Sequence, residues 1–274
     1  MISTLSPFLQ PPKTLPPERP SIFFMPPAAG EEPAQARFRA TFGEAVKFFV
    51  IQYPSLAETI KGHGRFDQIV DAVVTQITRE CANGPYLLAG YSFGGFVARE
   101  AARRLIEAGH EVNFLGLIDA RLELRFSTEH AHAKAIRFIS KLWAQPKQAM
   151  FRARIWILEH VPLVITKLLS RLQSILPPER ASALELELAT RLRMKSLYET
   201  TITPLSIKTT LFQSEEHFGE KPDYDWDAIS DDLVVISIGG SHVSLFDPPN
   251  CLSLRDRMLE AVNSSYRDNP QIGN

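Results

Sequence analysis

The sequence predicts an α/β chain built on a mostly parallel, doubly wound sheet. Two observations lead there. Short runs of apolar, β-branched and aromatic residues alternate along the chain with helical patterns. Several of those runs are apolar throughout, as expected of parallel strands covered on both faces.

The elements follow in order. Residues 1–20, "MISTLSPFLQPPKTLPPERP", carry Pro7, Pro11, Pro12, Pro16, Pro17 and Pro20 and read as an extended leader before a domain spanning 21–274. Strands are expected at "SIFFM" (Ser21–Met25), "VKFFVIQY" (Val46–Tyr53), "YLLAG" (Tyr86–Gly90), "VNFLGLI" (Val112–Ile118), "IKTTLF" (Ile207–Phe212) and "LVVISI" (Leu233–Ile238). Phe66–Arg79 and Phe93–Ala108 read as helices. In the second, Phe93, Val97, Ala101, Leu105 and Ala108 fall at helical spacing, and Gly109 is placed to end it. From about 121 to about 201 there are only helical patterns, broken at Pro177-Pro178. Ordinary crossover helices need far fewer residues, so this stretch reads as a helical insertion that forms a lid. Between Glu129 and Arg171 it is basic, with Lys134, Arg137, Lys141 and Lys147 among its cations and Glu129 and Glu159 opposing them.

Composition narrows the function. With 274 residues, 45% of them hydrophobic, the chain has ample material for a core. A net charge of −1 gives no global signal for nucleic acid. Two cysteines, Cys81 and Cys251, suggest neither a disulfide framework nor a zinc site. The leader lacks a basic start and a continuous apolar run, and no run approaches the roughly 20 residues that span a bilayer. The expectation is a cytoplasmic protein.

One stretch carries chemistry. Gly90-Tyr91-Ser92-Phe93-Gly94 is a G-x-S-x-G pattern between an expected strand and an expected helix. That setting suits a nucleophile elbow, in which a sharp turn holds the serine hydroxyl proud of the sheet. The helix N-terminus beneath it offers N–H groups to a developing oxyanion. A phosphate-binding turn is the alternative, although that would favour a lysine or more glycines.

A serine nucleophile needs a base, and the base an orienting acid. "FLGLIDAR" places Asp119 at a strand's carboxyl end, 27 residues after Ser92. A helix cap or turn role would also suit that residue. "SIGGSHVSLF" places His242 just after the last strand, the one histidine at such a position. Glu215 and Glu216 follow an earlier strand end and are the competing acids. Ser92, Asp119 and His242 keep the chain order of α/β-hydrolases. After "FFMPP", Ala28, Ala29 and Gly30 are small residues able to donate N–H groups, with Phe93 as the second oxyanion donor.

On "FFMPPAAG", "GYSFGG", "LIDA" and "GGSHVSLF", the chain resembles the thioesterase domains of non-ribosomal peptide synthetases and polyketide synthases, within the α/β-hydrolase superfamily. The pairing of elbow and "LIDA" is similar to synthase-terminal (type I) members. The resemblance implies Ser92 as nucleophile, Asp119 as acid, His242 as base, and the Ala28 and Phe93 N–H groups as oxyanion hole. It also implies a chain delivered as a thioester on the phosphopantetheine of an acyl or peptidyl carrier protein, fused or acting in trans, and released by hydrolysis or cyclisation. No metal, flavin or nucleotide site is expected. A carboxylester hydrolase of the same fold, and a non-catalytic hydrolase-fold ligand binder, are the rival readings.

Overall fold

Six strands pair in the order β2-β1-β3-β4-β5-β6, every neighbouring pair parallel. They are β1 (Ser21–Met25), β2 (Lys47–Val50), β3 (Tyr86–Tyr91), β4 (Val112–Ile118), β5 (Leu205–Ser214) and β6 (Ser230–Ile238). The computed structural model describes residues 20–62, 64–122, 166, 169–171, 176–218 and 225–268. Residues 1–19 of the expected leader and all the cations of the basic stretch except Arg171 lie outside the described residues.

β3 is buried at every position, and therefore on both faces, which explains its apolar sequence; β4 and β5 are buried toward their carboxyl ends. Parallel pairing brings the carboxyl ends to one rim. Met25 registers with Gly90, Tyr91 with Ile118, Ile118 with Phe212, and Ser214 with Ile238. β2 is shorter than its apolar run, Val46–Tyr53. Its ladder ends at Ile51, whose N–H bonds to Phe24 at 2.9 Å, and the Gln52 N–H turns to the Gln76 side chain. β5 and β6 begin earlier than their apolar runs. The first turns of β6 expose Asp231 and Asp232, polar residues that an edge strand tolerates.

The helices are α1 (Pro33–Ala40), α2 (Leu56–Lys61), α3 (Phe66–Glu80), α4 (Phe93–Glu107), α5 (Pro178–Tyr198), α6 (Glu215–Phe218) and α7 (Asn250–Asp268). α3 buries Ile69, Val70, Val73 and Ile77. α7 adds Leu254, Met258, Leu259 and Val262 to a core that also holds Ile22, Leu87 and Ile118.

The chain divides into two compact units. The first combines Met1–Tyr53, Ile69–Arg121 and Thr201–Asn274 and contains the sheet. The second combines Pro54–Gln68 and Leu122–Thr200. Within the second, Leu56 packs with Leu188, Ala189 and Leu192 of α5. Ser55 and Glu58 form a reciprocal cap at the start of α2: the Ser55 hydroxyl accepts from the Glu58 N–H and the Glu58 carboxylate from the Ser55 N–H. Arg193 of α5 donates to the Pro54 carbonyl at 2.9 Å.

Candidate active site

The turn between β3 and α4 puts Ser92 at φ 54°, ψ −119°, a conformation L-residues seldom adopt. Three glycines around it make the turn possible. A Cβ on Gly90 would overlap the Gly94 carbonyl, and one on Gly94 would overlap the carbonyls of Met25 and Pro26. A Cβ on Gly95 would lie 2.6 Å from the Ala120 side chain. So the first turn of α4 lies directly against the loop leaving β1 and the segment leaving β4. The Ser92 N–H donates to Ile118 at 2.9 Å, fastening the elbow to the end of β4.

Asp119 follows β4 and also has positive φ, 46°. Short polar residues tolerate that region better than most. Its N–H donates to Phe212 at 2.8 Å, and its Oδ1 accepts the Ser214 N–H at 2.9 Å, so β5 grips it on two sides. The buried Trp226 indole donates to the Ala120 carbonyl at 2.7 Å and holds the next residue in place. Asp119 Oδ2 lies 2.6 Å from His242 Nδ1. The carboxylate is fully buried and the imidazole about one-third exposed, at 36%.

His242 hangs from a loop that Gly240 begins at φ 96°. The Ser241 N–H donates to the Ser244 hydroxyl at 2.9 Å, and Asn250 donates to the Ser244 carbonyl at 3.1 Å. Tyr91, the residue before Ser92, stacks on the imidazole with centroids 4.9 Å apart. Its hydroxyl donates to the His242 main-chain carbonyl at 2.5 Å.

The structure therefore brings Asp119 and His242 into direct contact, and Ser92 meets their loops through Tyr91 and Ile118. No hydrogen bond joins Ser92 to the imidazole among the described residues. Glu215 and Glu216 are exposed at the start of α6; Glu216 reaches the histidine loop through its N–H, which donates to Gly240 at 3.2 Å. Ala28 and Phe93 lie on the two backbones that Gly94 holds together, both buried. The Gly30 N–H is spent on the Pro27 carbonyl at 2.8 Å. Tyr53 braces this corner: its hydroxyl donates to Pro26 at 2.6 Å and its ring meets Phe93 edge-on. Tyr53, Tyr91 and Trp226 are contributors that motif spacing does not reveal. Among the described residues, no cluster of three or more His, Cys, Asp or Glu could hold a metal ion, and no helix is long and apolar enough to cross a membrane.

Chemically, a hydroxyl at a helix N-terminus and a carboxylate-bound imidazole on the same sheet rim are groups suited to acyl transfer. Residues 20–216 match the family model described as the thioesterase domain. An atromentin synthetase of Suillus grevillei is 38% identical over 105 residues, 36% of this chain and 10% of the relative. The N-(5-amino-5-carboxypentanoyl)-L-cysteinyl-D-valine synthase of Penicillium chrysogenum is 28% identical over 121 residues, 44% of this chain and 3% of the relative. The match thus spans a small part of each curated relative. Among solved structures, a four-domain nonribosomal peptide synthetase bound to AMP and glycine aligns with TM-score 0.60 and 21% identity, over 92% of this chain and 19% of that one. The RedJ thioesterase of the prodiginine pathway in Streptomyces coelicolor aligns with TM-score 0.56 and 17% identity, over 93% and 96%. At such identities these alignments establish the fold, which is that of the α/β-hydrolases.

Proposed function

The chain belongs to the thioesterase-domain family, and from that premise we propose that it is a serine thioesterase that releases an acyl, polyketide or peptidyl chain from a carrier-protein thioester. The observation that supports this reading best is the buried Asp119 carboxylate bound to the His242 imidazole at 2.6 Å, at the rim where Ser92 occupies its strained turn. His242 takes the Ser92 proton as the hydroxyl attacks the thioester carbonyl. Asp119 fixes the tautomer that leaves Nε2 basic and stabilises the imidazolium that follows. The N–H groups of Phe93 and Ala28 hold the tetrahedral oxyanion, each donor contributing roughly 3–4 kcal/mol in such sites. The imidazolium returns its proton to the departing carrier thiolate. Water, or a nucleophile within the acyl chain, then releases the acid or the ring.

The substrate would arrive on the phosphopantetheine of an acyl or peptidyl carrier protein. The cations between Glu129 and Arg171 suit an acidic carrier and its phosphate. Two free cysteines, one of them buried, accord with a reducing cytoplasm. Acidity at Asp119, after β4, is the arrangement associated above with type I domains.

Intact-mass spectrometry across a panel of acyl thioesters tests the reading. The protein should gain an acyl mass that Ser92→Ala does not gain. Acyl transfer to the alanine variant would remove the serine from the reaction. Preference for an oxygen ester over the thioester of the same acyl group would turn the assignment to a carboxylester hydrolase.

A further inference from the structure

We propose that Tyr91 is a positioning residue for the reaction, the surface that fixes the His242 imidazole beside the serine that Tyr91 immediately precedes. This rests on the roles of Ser92 and His242 proposed above. An imidazole tied only through Nδ1 can still rock about that bond. Here a second constraint acts on its face: the Tyr91 ring lies against it at 4.9 Å, with 29° between planes. A third acts on its backbone, where the Tyr91 hydroxyl bonds to the His242 carbonyl at 2.5 Å. The Tyr91 ring is itself confined, 6% exposed. Phe246 stands edge-on to it at 4.8 Å, and Phe38 backs Phe246 at 5.2 Å.

Filling the core does not account for the phenol oxygen. Phenylalanine would occupy nearly the same volume, and a buried hydroxyl is tolerated only with a partner. The partner is the main chain of the residue that serves as base. Burial, and then the neighbouring Asp119 carboxylate, push the Tyr91 pKa up; Glu32 acts in the same direction and Arg121 against it. The phenol thus remains protonated, and a donor, through neutral pH. The arrangement also serves the charged intermediate, because an imidazolium above an aromatic face is attracted by the ring. One dipeptide, Tyr91-Ser92, carries both the nucleophile and the rest on which its base lies, so a shift of the elbow carries the two together.

Inactivation kinetics with a fluorophosphonate separate reversible binding (KI) from the bond-forming step (kinact). Tyr91→Phe, which keeps the ring and loses the bond, should lower kinact about 5–10-fold, in line with one lost hydrogen bond. Tyr91→Leu, which loses both, should lower it about 100-fold, as misplacement of a catalytic group does. KI should stay within twofold in both. Circular dichroism gives the folded fraction by which each rate is normalised. Wild-type kinact in the folded leucine variant overturns the proposal. If that variant does not fold, wild-type kinact in Tyr91→Phe overturns it instead. Ser92→Ala separates the two levels: if it is still phosphonylated, the functional reading and the role of Tyr91 fall together. If it is inert while the Tyr91 variants react as wild type, only the role of Tyr91 falls.

Discussion

Ser92 and Asp119 are the two non-glycine residues at positive φ that border the site, at 54° and 46°. Conformations of that kind persist only where the surroundings over-determine them. Here the Gly90, Gly94 and Gly95 contacts fix the first, and the paired bonds to β5 fix the second. Asp119→Asn probes this directly. The asparagine Oδ1 can still accept the Ser214 N–H, so folding should be kept and the thermal midpoint little changed. The amide cannot hold the imidazole tautomer, and steady-state turnover should fall about 10³–10⁴-fold. Turnover near wild type, with loss in Glu215→Gln, would move the acid to the end of β5. The candidate site residues were legible because the elbow, the "LIDA" aspartate and the late histidine each follow an apolar run that ends at the same rim. Tyr91, Tyr53 and Trp226 were not. Each acts through a contact with a distant segment, and Tyr91 meets a carbonyl 151 residues away. Nothing in local spacing marks such a partner.

At the scale of elements, short apolar, β-branched and aromatic runs identified the six strands, and the boundaries moved where side chains ceased to be the deciding factor. β2 stops where the Gln52 N–H leaves the ladder for the Gln76 side chain; β6 extends through two aspartates because at Asp231 and Asp232 both faces are open to solvent, where charged side chains remain hydrated. α1 escaped notice because only Gln35 and Phe38 are buried along "PAQARFRA". α7 left a usable signal, Cys251, Leu254, Met258 and Val262 at helical spacing, diluted by the exposed Ser253, Asp256, Arg257, Glu260 and Ser264. The α2–α5 packing in the second unit makes its own prediction. Leu188 and Leu192 are buried in a cluster separate from the core around the sheet. Leu192→Ala should cost about 2–5 kcal/mol there. Hydrogen exchange should show lost protection in 56–61 and 184–198 while β3 and β4 keep theirs. Equal loss in the central strands would mean that the two clusters unfold as one.

Over the whole molecule, buried phenols set an alkaline limit. Burial pushes the pKa of Tyr86, Tyr91 and Tyr266 up. The sign follows from proton linkage. Above the ordinary tyrosine value of about 10, the unfolded chain loses phenolic protons that the folded chain retains. The unfolded state then binds fewer protons, so stability falls as pH rises. The urea midpoint should therefore decline between pH 9 and pH 11, and Tyr266→Phe, in α7, should flatten that decline. An unchanged slope in that variant would assign the loss to other groups. The topology has a consequence in time as well. The serine elbow and its aspartate come from adjoining strands, whereas the imidazole that meets Asp119 lies 123 residues further on. During synthesis the ribosome completes the elbow and the carboxylate long before it reaches His242. On the proposed roles, the emerging chain carries the hydroxyl before the base that would activate it, and the pair can meet only after the loop following β6 has been made.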